Sequence, residues 1–292
     1  MRKITKDFAQ IPALLFDCSQ EKHQKLLAQA ERHVFDAQCY NQGSIADLRR
    51  IYHDKCAYCE TRFPEDKLGK LIAATVEHYR PKRNGYYWLG YEWSNLMLVC
   101  EGCNNAKGDK FEIKGIKIKK PLLNTEGVLD LSKCRLDCME LQKEKPLFIN
   151  PEIDEPSELF YFTKSGELKA TDNNDRADYT IKELQLNRNN LWILRRKKFI
   201  DDIERDIESQ VLKYLELYGQ QGYDERAIAL AFFSIFEKIV RMQDEKAEFT
   251  LLGKSILENF NTFLIEPMGQ NIGLVAQKIV AYAFGLFLKQ VS

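Results

Sequence analysis

The hydrophobic pattern changes period along the chain. Between Ser19 and Gln42, Leu26, Leu27, Ala30, Val34, Phe35 and Ala37 supply an apolar face, and Glu21 and Glu31 offset Lys22 and Arg32. That spacing predicts a helix capped by Ser19. Gly43 breaks the pattern, and Ile45, Leu48 and Ile51 predict a short second helix over Ser44–His53. Residues 1–18 carry no clear period and read as irregular. Ala73–Val76 is β-prone, Gly85 and Gly90 break the chain, Leu96–Val99 is an apolar run, and Asn104–Phe111 can open a helix. The expected order there is strand, turn, strand, helix. Residues 146–151 are held extended by their two prolines, and Leu159–Phe162 and Glu167–Ala170 flank a turn as a hairpin. From Arg176 onward the pattern is helical. Phe199, Ile203, Ile207, Val211 and Leu215 form a stripe opposite Asp202, Glu204, Asp206 and Glu208, ended by Gly219 and Gly222. Further helices are expected around residues 226–242, 248–264 and 272–290.

The chain therefore reads as mainly α, with a small α+β core embedded in helices. Four regions are expected: N-terminal helices over 1–53, a core over 54–112, a connecting segment with a hairpin over 113–175, and C-terminal helices over 176–292. Composition changes this picture little. Apolar residues are 45% and charged residues 29% of 292, ordinary for a soluble globular protein. Lys+Arg and Asp+Glu are 43 each, so any surface that attracts nucleic acid must be local. The apolar run Ile11–Phe16 is too short for a signal-peptide core, and the stretch 273–288, interrupted by Gln277 and Lys278, reads as a core helix. A cytoplasmic protein is expected.

The eight cysteines alter the reading more. Cys56/Cys59 and Cys100/Cys103 are two Cys-x-x-Cys pairs, the spacing of a closed, tetrahedral thiolate site for structural zinc. Cys18, Cys39, Cys134 and Cys138 lack metal spacing and are expected to be buried thiols. Residues 60–99, between the two pairs, carry Glu77, His78 and Asn95, and Asn104 follows the second pair directly.

A closed thiolate site leaves the chemistry to these other residues. Hydrolysis of a phosphodiester needs a deprotonated water and a cation that stabilises charge on the phosphate. His78 suits a general base, while Glu77 and the Asn104 oxygen suit a hard ion such as Mg²⁺ or Mn²⁺. Asn95 can hold the loop that carries His78, and Arg80, Lys82, Arg83 and Lys107 are candidate phosphate contacts. The run Lys114, Lys117, Lys119 and Lys120 can extend such a track or can be solvated surface.

The conjunction of Glu77-His78, Asn95 and Cys100-x-x-Cys103-Asn104-x-x-Lys107 resembles the HNH (ββα-metal) endonucleases over about residues 52–112. By that resemblance His78 is the base, Glu77 and Asn104 hold the catalytic ion, Asn95 is mainly structural, and products carry 5′-phosphates. Glu stands where Asp is commoner, and Asn where the final His is commoner. Residues 1–15, Val76-Glu-His-Tyr-Arg-Pro-Lys82, Leu147–Pro151, Asp154–Pro156 and Leu186-Asn-Arg188 are similar to the HNH proteins of Septu and retron anti-phage systems (PtuB-like). That similarity implies an effector nuclease paired with an ABC-type ATPase subunit (PtuA-like). DNA is the expected substrate; an RNA target such as tRNA, or a zinc module that only binds nucleic acid or protein, are the alternatives.

Overall fold

The computed structural model describes the whole chain except residues 30–33, 68–70, 84, 219, 221, 223, 269–272 and 292. Ala30, Glu31 and Arg32 of the expected first helix, Gly219, and Ile272 at the expected start of the last helix lie outside the described residues. Two compact units result: residues 1–160 with 170–186, and residues 161–169 with 187–292. The N-terminal helices, the cysteine-framed core and most of the connecting segment thus share one unit, which also takes in the first residues of the expected C-terminal region.

The first unit opens with helices α1 (Ala13–Leu27) and α2 (Ala37–Tyr52). These correct the expected boundaries. The Asp36 carboxylate caps α2, accepting from the backbone N–H of Gln38 and Cys39, so the second helix starts well before Gly43 and runs through it. Gly43 is a contact point instead of a breaker: a Cβ there would lie 2.8 Å from Leu15 Cα, so its absence lets α1 and α2 approach. Cys18 and Cys39 are joined in a disulfide between these helices, which corrects the expectation of free thiols. Cys134 is a buried free thiol as expected, whereas Cys138 is part-exposed.

Beyond the first cysteine pair, β1 (Ala74–His78) runs antiparallel to β2 (Leu96–Cys100), with Ala74 opposite Cys100, Glu77 opposite Met97 and His78 opposite Leu96. Two single 3₁₀ turns, Tyr87–Leu89 and Trp93–Asn95, fill the connection. Helix α3 (Glu101–Lys107) follows β2 directly. It begins before Asn104 because Cys100 and Cys103 sit one helical turn apart and are themselves its cap and first turn. It ends at Gly108, where φ is +52°.

Short helices α4 (Leu131–Cys134), α5 (Met139–Gln142) and α6 (Pro156–Leu159), then α7 (Asp175–Glu183), complete this unit. Strands β3 (Phe160–Phe162) and β4 (Leu168–Ala170) form the expected hairpin, whose tip belongs to the second unit.

In that second unit α8 (Asn189–Arg195) passes through a π turn, Arg196–Ile200, into α9 (Asp201–Leu217). Ile203, Ile207 and Val211 are buried as their spacing predicts, and Tyr214 takes the core position expected of Leu215. Helices α10 (Glu225–Leu230), α11 (Phe233–Arg241), α12 (Thr250–Glu258) and α13 (Leu274–Val291) follow, packing Phe236, Phe260 and Phe284 ring to ring. Among the described residues no helix is long and apolar enough to cross a membrane.

Candidate active site

Two elements bring the cysteines together. Cys56 and Cys59 lie in the turn after α2, pinned to β2 by the Ala57 N–H donating to Leu98 O at 2.8 Å. Cys100 and Cys103 come from the end of β2 and the first turn of α3. The four sulfurs lie within 4.8 Å of one another, and Cys59 Sγ is 3.7 Å from Cys100 Sγ. An ion with metal–sulfur bonds of about 2.3 Å in a tetrahedron requires sulfurs roughly 3.8 Å apart, so the donor set fits one. Hydrogen bonds among the four thiols lower the pKa of Cys59 and Cys100, while burial raises that of Cys56 and the hydrogen bond with Cys100 raises that of Cys103.

His78 ends β1 and is buried. Its Nε2 is 2.9 Å from Gly90 O, and its Nδ1 is 3.3 Å from Lys82 Nζ. A carbonyl only accepts, so Nε2 carries the proton and Nδ1 the lone pair. Burial, and then the Lys82 charge, lower the imidazole pKa to about 3, so the ring is neutral at physiological pH. The Tyr40 ring from α2 stands edge-on to it, with centroids 4.8 Å apart, and helps fix its plane.

Glu77 precedes it, nearly buried. Its Oε1 accepts from Lys107 Nζ at 2.7 Å, and the same ammonium donates to His78 O at 3.0 Å. Burial raises the Glu77 pKa, opposed by the Lys107 charge. Asn104, one helical turn before Lys107, donates through Nδ2 to Thr75 Oγ1 at 3.0 Å, leaving Oδ1 as its hard donor. Glu77, His78 and Asn104 line one cavity of about 440 Å³, together with Tyr40, Lys82, Arg83 and Asp109.

Asn95 lies outside this cavity, fully buried. Its Oδ1 accepts from Arg80 N at 2.7 Å, and its Nδ2 donates to Arg80 O at 3.0 Å and Leu89 O at 3.1 Å. One amide thus clips both sides of the loop that leaves His78, the arrangement a positioning role needs.

Two of the expected phosphate contacts are corrected. Arg80 is fully buried, with Nε 2.9 Å from Glu144 Oε2 and Nη2 2.7 Å from Leu141 O, which leaves its guanidinium no access to the cavity. Lys107 is equally buried and acts as the internal counter-ion of Glu77. Lys82 and Arg83 do reach the cavity, and Lys82 Nζ also lies 4.8 Å from the Tyr40 ring centroid.

The sequence reading missed Tyr40, whose only signal is a helical-face position far from the motif. It also missed Lys6, in the segment read as irregular. Lys6 is buried, donating to Leu96 O at 2.6 Å and pairing with Glu152 at 3.2 Å. Glu152 in turn accepts from Tyr52 Oη. Leu96 is the residue opposite His78, so this network anchors the strand beneath the site.

Residues 56–110 match the family model described as HNH endonuclease. The chain is 26% identical over 195 residues to the Septu protein PtuB of Bacillus mycoides (strain KBAB4), covering 62% of this chain and 58% of that protein. It is 39% identical over 61 residues to the Septu protein PtuB of Bacillus thuringiensis, 21% of this chain and 22% of that one. It is also 28% identical over 160 residues to the Septu protein PtuA of the same Bacillus mycoides strain, 51% of this chain and 20% of that protein. The chain therefore spans less than two thirds of the length of each of these relatives.

Proposed function

Because the chain carries an HNH endonuclease domain and is homologous to the PtuB proteins of Septu systems, we propose that it is a metal-dependent endonuclease serving an anti-phage defence complex. What supports this most is the single cavity shared by a neutral, backbone-oriented imidazole, a carboxylate and an amide oxygen, beside a separate four-thiolate cluster.

The four thiolates would hold zinc, which would fasten the first cysteine turn, β2 and α3 together. Glu77 and Asn104 would hold Mg²⁺ or Mn²⁺, which supplies electrostatic stabilisation to the scissile phosphate and leaving oxygen. His78 Nδ1 takes the proton from the attacking water. Its Nε2–H stays on Gly90 O, so the ring needs no reorientation as it becomes charged. Lys82 moves from Nδ1 to a phosphate oxygen when substrate enters, freeing the lone pair, and Arg83 provides the second cationic contact. Lys107 fixes the Glu77 carboxylate, and Asn95 fixes the loop. DNA is the substrate, and an ABC-type ATPase is the partner in the complex. The likeness to PtuA lies within this one chain, so a separate ATPase is tested by co-expression with the neighbouring genes.

The test is cleavage of plasmid DNA and of total tRNA with Mg²⁺ or Mn²⁺, with and without that ATPase. Wild type should cut the plasmid. His78→Ala should lower the rate by about 10²–10⁴-fold, the range for loss of a general base, with zinc content unchanged. Cutting of tRNA alone would reassign the substrate, and undiminished cutting by His78→Ala would refute the assignment of the base.

A further inference from the structure

A second cavity in the first unit, of about 340 Å³, uses none of the catalytic groups named above. Its volume falls within the range of small-molecule sites, roughly 300–1,000 Å³. Tyr79, Pro146 and Ile153 give it an apolar wall, and Lys114, Lys145 and Arg176 give it cations. We propose that it binds a small phosphate-bearing molecule of mononucleotide size, the phosphate on Lys114 and Lys145 and the flat apolar part against Tyr79, Pro146 and Ile153.

Four observations carry this. Arg176 is already neutralised: Nη1 and Nη2 donate to the Asp154 carboxylate at 2.7 and 2.9 Å, and its Nε donates to Pro146 O at 2.9 Å. The cations left for a ligand are therefore Lys145 and, through its exposed and exchangeable pair with Asp175, Lys114. Their backbones are joined, the Lys114 N–H donating to Lys145 O at 3.0 Å, next to the bridge between Ile113 and Pro146, and both side chains line the cavity. Lys114 has only a solvent-exposed contact with Asp175, at 2.8 Å, and Lys145 Nζ has no ion pair among the described residues.

The backbone is built to hold that pairing. Lys145 sits at φ +52°, in the left-handed region. Gly115 passes so close to the facing segment that a Cβ would lie 2.1 Å from Lys143 O. Finally, Asn150 lines the cavity and is only 1% exposed. Its Oδ1 accepts from Glu152 N at 2.9 Å, which fixes the amide orientation and leaves Nδ2 as a donor without a partner. A cavity lined by two lysines, a spare amide donor and an apolar wall matches a phosphate joined to a small apolar ring.

The experiment is calorimetric titration of the full chain with AMP, GMP and CMP, with inorganic phosphate, with adenosine, and with a short single-stranded oligonucleotide. A mononucleotide should bind at micromolar to millimolar concentration, phosphate more weakly, and adenosine not measurably. Lys114→Gln/Lys145→Gln should weaken mononucleotide binding at least tenfold with an unchanged melting temperature. Lys145→Glu, a single surface change, should do the same if the double variant folds poorly. Binding of the oligonucleotide without any mononucleotide would overturn the proposal in favour of a nucleic-acid track. So would mononucleotide binding that survives both variants, or no binding of any mononucleotide at millimolar concentration.

Discussion

Lys6 illustrates how much of this site rests on individual buried charges. Its ammonium is stripped of water, and burial lowers its pKa while raising that of its partner Glu152. Removing one partner leaves the other charge buried and uncompensated, at a cost of about 3–5 kcal/mol. Lys6→Met should therefore lower the unfolding free energy in urea by that amount. The double variant Lys6→Met/Glu152→Leu should recover most of it, which a simple packing defect would not allow. His23 makes a separate prediction. It is buried, its Nε2 has no partner, and burial lowers its pKa to about 4. The unfolded chain, with a value near 6.5, binds the extra proton first. Stability is therefore full above pH 6.5 and is lost as the pH falls from 6.5 toward 4, by up to about 3 kcal/mol for this residue. Urea midpoints at pH 7 and pH 5 should diverge in wild type, and the gap should narrow in His23→Phe.

At the scale of elements, the helix pair and the ββα core follow different logic. Gly43 is a poor helix former, and alanine there gains about 1 kcal/mol of propensity on an exposed helix. Here the added methyl meets the Leu15 backbone, and overpacking of this kind costs about 1–3 kcal/mol. Gly43→Ala should accordingly lower the melting temperature rather than raise it. That close approach is why the break read at Gly43 was displaced: local propensity marked a stop, and the contact between helices required a glycine inside the helix. The core was more legible. The β1–β2 order and the helix after the second cysteine pair follow from short-range pattern, because each cysteine pair is itself a turn. Both ends of α3 moved by about one helical turn, the start back to Glu101 and the end back to Lys107, where Gly108 stops it.

For the molecule as a whole, the cysteine cluster is the feature whose removal should be felt most widely. Structural thiolate sites contribute folding energy directly. Cys59→Ser or Cys103→Ser should lose one metal ion per chain and expose the first unit to proteolysis. The residues from 187 onward, packed on their own phenylalanine core, should stay resistant. Metal analysis and limited proteolysis read the two effects separately.

Sequence by itself determined which candidate groups stand at which spacing along the chain. Two Cys-x-x-Cys pairs, an adjacent Glu77-His78 and an Asn104 after the last cysteine are set by bonded neighbours, and no packing can change their identity. Tertiary structure decided what depends on solvent. It withdrew Arg80 and Lys107 into the interior, because Glu144 and Glu77 lie where those cations can be neutralised. It brought Tyr40 to His78 from another helix, paired Cys18 with Cys39, and put Lys6 beneath the strand. A charged residue reads the same on a surface as in a core until the fold fixes its distance to an opposite charge, and that distance is a property of long-range packing alone.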